Sequence, residues 1–273
     1  MNDGHVSPII GLVNLFNSIN NMGNPEINHA IIKKNNKETY MSIIDTTFDV
    51  RTDTPVGKDP DSKSPTLRKY HQLLWSKELP CGQKLELNDR LMGYIGDTEY
   101  WFSGDSITHS FSRWSKYQHI IKQIDPNVIA DFKSTGYTIG GNIIFPANVP
   151  KGKMSINQRR GMLVKICDRF DLTLECIRRY YLGLESPLFS CISDFKPFFD
   201  AFVDFKGYVE FFLLQDLVTN DYSAIKYWYP FPGEFYSNPL PQSPEEYLMY
   251  VDTVLKFLDD RNKRIDSWAK ANL

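Results

Sequence analysis

Cysteine is scarce in this 273-residue chain. The four present, Cys81, Cys167, Cys176 and Cys191, form no Cys-x-x-Cys pair and have no histidine at zinc-finger spacing. That argues against a structural zinc site and a disulfide framework, and the expected compartment is reducing. Long apolar runs are also missing. None approaches the ~20 residues that cross a bilayer, and residues 1–30 lack the basic start and continuous apolar stretch of a signal peptide. A soluble, cytoplasmic protein without a membrane partner is expected. There is no large excess of either charge: 31 Lys and Arg against 33 Asp and Glu leave −2, which excludes a surface that attracts polyanions throughout. No Walker loop, Gly-x-Gly-x-x-Gly, Gly-x-Ser-x-Gly, His-Glu-x-x-His or kinase signature occurs, so the enzyme classes those motifs mark are not indicated, and no cofactor is implied.

What is present in excess is aromatic. Phe, Tyr and Trp make up 14% of the chain, and eighteen of the 38 fall between Tyr180 and Tyr236. Phe195, Phe198, Phe199 and Phe202, then Phe205, Tyr208, Val209 and Phe212, recur at helical spacing and predict a helical core. Charge is uneven along the chain. Residues 151–180 carry eight Lys and Arg against three acids, a net +5, whereas residues 185–260 carry four Lys against thirteen acids, a net −9. Such asymmetry suits either a phosphate-binding face or two segments that neutralise one another.

The fold class expected is α+β, with a small mixed β-sheet in the N-terminal half and a mainly helical, aromatic-rich C-terminal half. Residues 1–40 hold nine of the eighteen asparagines and read as a poorly packed leader or a short docking helix; residues 41–273 read as one domain, sheet-containing over 41–150 and helical over 151–273. Strands are expected over 48–51, 84–87, 99–102, 106–111 and, broken by Gly140-Gly141, 137–146. Helices are expected from Ser64-Pro65, over 114–123, 127–133 and 166–181, from Ser186-Pro187, and from Ser243-Pro244, where Ser243 and Glu246 have capping-box spacing.

Three constellations carry candidate chemistry. In the first, Arg51 and Asp53 precede a loop holding Lys58, Asp59, Asp61 and Lys63, followed by Arg68 and His71 on a helix; strand end, loop and helix start suit a phosphate, the three aspartates suit a divalent cation, and a solvated turn before a capped helix explains the same residues. His71 shares an apolar face with Leu67 and Leu74, the setting of a core histidine or a catalytic one. In the second, Ser103 to His109 gathers Asp105, Ser106 and His109, the residue types of base, nucleophile and orienting group. In the third, Arg159 and Arg160 precede a helix whose polar stripe of Asp168, Asp171, Glu175, Arg178 and Arg179 suits either i,i+3 and i,i+4 ion pairs or a phosphate clamp with an acid. The Pro-rich segment Tyr227-Trp228-Tyr229-Pro230-Phe231-Pro232 adds an aromatic loop that can stack on a base, dock a partner protein or be pinned to the core.

Phe48-Asp49-Val50-Arg51-Thr52-Asp53-Thr54-Pro55, the run from Ser64 to Lys77, Gly140 to Pro146, Asp168 to Arg179 and Phe211 to Leu217 together resemble a family of uncharacterised bacterial proteins built on a domain of unknown function. The resemblance spans about Ile43 to Asp266 and leaves residues 1–40 outside. It implies a bacterial, cytosolic origin and brings no activity, cofactor or catalytic residue with it. The functional expectation therefore rests on the residues: binding of a phosphate-bearing ligand, nucleotide or nucleic acid, with hydrolysis where the candidate acids and bases converge. Asp53, His71, Asp105, His109 and Glu175 are the catalytic candidates; Arg51, Lys58, Lys63, Arg68, Arg159, Arg160, Arg178 and Trp228 are the ligand-binding ones. The alternative is a non-enzymatic interaction module using the aromatic loop 227–235.

Overall fold

Ser64-Pro65 opens a helix because serine caps it and proline costs no bond at its first position. In the computed structural model, which describes residues 44–148, 151–235 and 238–273, that helix is preceded by one short turn, so α1 is Pro60–Lys63 and α2 is Pro65–Trp75. The Ser64 hydroxyl accepts from Leu67 N–H at 3.0 Å and donates to Asp53 Oδ1 at 2.6 Å, while Asp53 Oδ2 accepts from Thr66 N–H at 2.9 Å. Leu67, Tyr70, His71, Leu74 and Trp75 of α2 are buried. The expected strand over 48–51 is instead a series of turns. The Asp49 carboxylate accepts from Arg51 N–H at 3.0 Å and its carbonyl from the Thr52 hydroxyl at 2.7 Å, local bonds that outcompete an isolated strand.

The sheet has three strands, β1 Met92–Ile95, β2 Thr98–Ser106 and β3 Asn142–Pro146, in the order β1-β2-β3. It is antiparallel throughout rather than mixed, with Met92 opposite Trp101 and Asp105 opposite Ile143. Residues 84–87 contribute only a bridge between Lys84 and Glu78. The expected strand over 106–111 stops at Ser106, and Ile107 adds one bond to Gly141 O at 2.9 Å before the chain leaves the sheet. All five residues of β3 are buried.

The helices after α2 are α3 Gln118–Ile121, α4 Pro126–Gly136, α5 Ile156–Met162, α6 Phe170–Tyr181, α7 Phe189–Ser193, α8 Lys196–Asp200, α9 Phe205–Phe211 and α10 Pro244–Asn272. A 3-10 turn at Ser115–Tyr117 takes the place of the first half of the helix expected over 114–123. The helix expected from Ile166 begins only at Phe170, because Cys167 and Asp168 adopt φ of 51° and 60°. That left-handed corner turns Asp168 back towards Arg160.

Aromatic rings weld the helical half. Phe198, Phe199, Phe202, Tyr208, Phe211 and Phe212 pack in edge-to-face, tilted and stacked pairs at centroid distances of 4.9 to 5.8 Å, and Trp75 of α2 joins them 5.4 Å from Phe212. The long α10 fastens both halves. Buried Arg261 donates to the carbonyls of Gly140 and Asn142 beside the sheet and of Phe212 and Leu213 after α9. At its start Ser243 Oγ accepts from Glu246 N–H at 3.2 Å, but the Glu246 carboxylate bonds Gln242 N–H and the Tyr229 hydroxyl, so only half of the expected capping box forms. Asp45–Asn272 is one structural unit. The Asn-rich leader expected over residues 1–40 lies outside the described residues.

Candidate functional site

Where the chain leaves β2, the sequence Ser106-Ile107-Thr108-His109-Ser110-Phe111-Ser112 alternates in character. Ile107 and Phe111 are fully buried. The hydroxyl residues 106, 108, 110 and 112, with His109, line a cavity of about 830 Å³. Its other walls come from the loop before α1 (Arg51, Lys58, Asp59), from α1 (Asp61), from Arg113, from α4 and its end (Lys133, Tyr137) and from Asp168 before α6. A concave site of this volume falls in the range of small-molecule pockets.

Arg160 of α5 organises the floor. Its side chain is 1% exposed and pairs with Asp105 and, at 3.0 Å, with Asp168 Oδ1. It also donates to Thr173 Oγ1 at 3.2 Å and to the carbonyls of Ser106 and Asp168. Burial works against its charge, but Asp168 and Asp105 hold it above its usual pKa. Burial raises Asp105 to about 6, with Arg160 pulling it down and Asp168 pushing it up. Asp61 is more unusual. Its Oδ2 accepts from Ser106 N–H at 3.1 Å, while Oδ1 is sealed from solvent without a partner. Burial, then Asp105 and Asp59, raise this carboxyl to about 8, so it is protonated at neutral pH. Gly104 allows the approach of α1 to β2: a Cβ there would sit 2.1 Å from Asp61 O and 3.3 Å from His71 Nε2.

The opposite wall is cationic. Arg51 is paired with Asp49 at 2.5 Å and lies over the Tyr137 ring, 4.9 Å from its centroid. Arg113 and Lys133 have no ion-pair or hydrogen-bond partner for their side chains among the described residues. Burial and the like charges of Arg113 and Arg51 depress the Lys133 ammonium. His109 Nδ1 accepts from Phe111 N–H at 2.9 Å, which leaves the neutral ring's proton on Nε2. Burial lowers its pKa.

Of the residues singled out from the sequence, Arg51, Lys58, Asp105 and His109 line this cavity and Arg160 supports it. The others are elsewhere. Asp53 is held at the α2 cap, Arg68 donates to Ser62 O at 2.9 Å, and Lys63 is exposed outside the cavity. His71 is 1% exposed, accepts from Trp75 Nε1 at 3.1 Å and is depressed by burial to about 3, the behaviour of a core histidine. Buried Glu175 pairs with Arg178 at 2.7 Å and Arg179 at 2.8 Å. Arg159 lines a separate 390 Å³ cavity. Trp228 is 3% exposed, its backbone N–H held by Asp171 and its ring 5.6 Å from Phe257, so it offers no open face to a ligand base. The loop around it is tied down through Tyr229 to Arg169 and Glu246.

Four arginines of the +5 segment are thus engaged, Arg160, Arg169, Arg178 and Arg179 all meeting carboxylates. With Asp53 bound at the α2 cap, Asp59 and Asp61 lack the third ligand expected of them. Among the described residues no group of three or more His, Cys, Asp or Glu is placed to hold a metal ion. Arg113, Lys133, Tyr137 and Asp168 join the site without having been singled out as ligand-binding or catalytic. Only the alternating hydroxyls from Ser106 to Ser112 gave a local signal for this wall.

The model of a family of unknown function, DUF6994, matches residues 44–265. No curated protein and no solved structure matches the chain.

Proposed function

We propose a function for a chain that belongs to DUF6994, a family of unknown function: it binds a phosphate-bearing ligand of nucleotide size in the 830 Å³ cavity. The observation that carries this reading is the convergence of Arg51, Arg113 and Lys133 from three separate parts of the chain, two of them without a counter-charge among the described residues. Like charges brought together in one cavity lining repel one another, and a bound dianion removes that repulsion. Guanidinium forks and an ammonium are the groups that recognise phosphate oxygens. The concave shape and limited volume favour a mononucleotide over a nucleic acid strand, which needs a long basic track. The cytosolic setting expected from the sequence is carried as part of this reading, supported by the free thiols of Cys81, Cys167, Cys176 and Cys191.

Thermal melting at low ionic strength, with inorganic phosphate, ribose 5-phosphate and nucleoside monophosphates, tests it. A ligand at about 100 times its Kd adds about 2.7 kcal/mol of stability. That shift should shrink in Arg113→Ala and Lys133→Ala and disappear in the double variant. No shift with any phosphate compound, or a shift that survives the double variant, overturns the reading.

A further inference from the structure

The cavity has two electrostatic zones. Tyr137 feels both, Asp61 and Asp59 pushing its hydroxyl's pKa up and Arg51 and Arg113 pulling it down. His109 likewise feels Asp168 against Arg160 and Lys133. A phosphate belongs at the cationic wall, because ionised carboxylates on the floor repel it. The uncharged remainder of the ligand then reaches the floor, so a bond broken there is not the phosphoester.

The floor has the apparatus for breaking one. Asp61, protonated at neutral pH, lines the cavity and keeps one carboxyl oxygen without a hydrogen-bond partner among the described residues. Asp105 beside it is held ionised by Arg160. Two carboxyl groups whose surroundings separate their protonation states serve as acid and base. Asp59, Asp105 and Asp168 further favour a transition state that develops positive charge, as glycosidic cleavage does, over the anionic one of phosphoryl transfer. The hydroxyls of Ser106, Thr108, Ser110 and Ser112 suit a sugar, and Tyr137 supplies an aromatic ring for a flat base.

We infer, resting on the phosphate site proposed above, that Asp61 and Asp105 are the general acid and general base for hydrolysis of the N-glycosidic bond of a nucleoside 5′-phosphate. Water attacks C1′ as the C1′–N bond breaks. The bond's electron pair stays on the base nitrogen, which takes the proton from Asp61, and the proton lost by the water goes to Asp105. The products are the free base and ribose 5-phosphate. Return of the proton from Asp105 to Asp61 restores the pair.

The full-length protein is incubated with the four common ribonucleoside 5′-monophosphates, and free base, ribose 5-phosphate and inorganic phosphate are quantified by chromatography. Base and ribose 5-phosphate should appear in equal amounts without inorganic phosphate. Asp61→Asn should lower kcat roughly 100-fold or more and leave KM within about threefold. On 4-nitrophenyl ribose 5-phosphate, whose leaving group needs no proton, Asp61→Asn should recover the wild-type rate, while Asp105→Asn stays slow on both substrates. If Asp61→Asn does not fold, the wild-type products and Asp105→Asn decide. Absence of base release from monophosphates that still raise the melting temperature overturns this inference and leaves the phosphate site standing; so does inorganic phosphate as the product. Absence of any melting shift overturns the phosphate site, and this inference with it.

Discussion

At the scale of single residues, two buried titratable groups shape the pH dependence of stability in opposite senses. Asp61 has a folded pKa of about 8 against an ordinary 3.8, so between those values the native state holds the proton more tightly than the unfolded chain does, and stability falls as pH rises. His71, depressed to about 3 from 6.5, is protonated preferentially in the unfolded chain, so its contribution is lost as pH falls through that window. Each pH unit of either window is worth up to about 1.4 kcal/mol. Asp61→Asn removes the first dependence. Melting curves of this variant should match the parent near pH 4 and lie progressively above it up to pH 8; parallel curves across that range would falsify the assignment of a raised Asp61 pKa. Gly104→Ala acts at the same scale through sterics. The new methyl meets Asp61 O and must push α1 away from β2, which should destabilise the protein by about 1–3 kcal/mol in urea titrations and weaken phosphate binding with it.

At the scale of elements, local signals and long-range ones separate cleanly. The α2 start was legible in Ser64-Pro65, and so was the start of α10 in Ser243-Pro244, since capping chemistry lies within four residues of the helix it caps. The sheet was less so: residues 84–87 have strand-like sequence but find no ladder, while β1 lies at Met92–Ile95, where the Gly96-Asp97 turn brings it back onto β2. The break before α6 was invisible because it depends on Arg160, eight residues earlier and in another helix, drawing Asp168 out of helical geometry. Arg160→Met tests that role. It leaves Asp105 and Asp168 without their shared counter-charge and should cost about 3–5 kcal/mol in denaturant titrations. A loss below about 1 kcal/mol would show that the pairs contribute little to the corner.

At the scale of the whole molecule, α10 joins what the sequence presents as two halves. Arg261 bonds carbonyls on both sides, and Tyr247 and Tyr250 donate to the carbonyls of Ser110 and His109 along the cavity wall. Sheet and helical layer should therefore unfold together. Tryptophan fluorescence, which samples Trp75 and Trp228, and far-ultraviolet circular dichroism should trace one coincident denaturant transition. Two resolved transitions would mean that the halves are separate folding units.

The sequence by itself determined the α+β class, the helical aromatic core and the principal helix starts, because periodicity and capping act over a few residues. Among its catalytic and ligand-binding candidates it also marked four residues of the cavity lining, Arg51, Lys58, Asp105 and His109, together with Arg160 beneath them. Tertiary structure decided which charges stay unpaired. Arg178 and Glu175 neutralise one another, Trp228 is covered, and Arg113 and Lys133, unremarkable in the sequence, join Arg51 in the cavity lining. Tertiary structure also decided that the Asp61 carboxyl is raised so far, since its burial and the neighbouring carboxylate of Asp105 arise only when α1 closes over the end of β2.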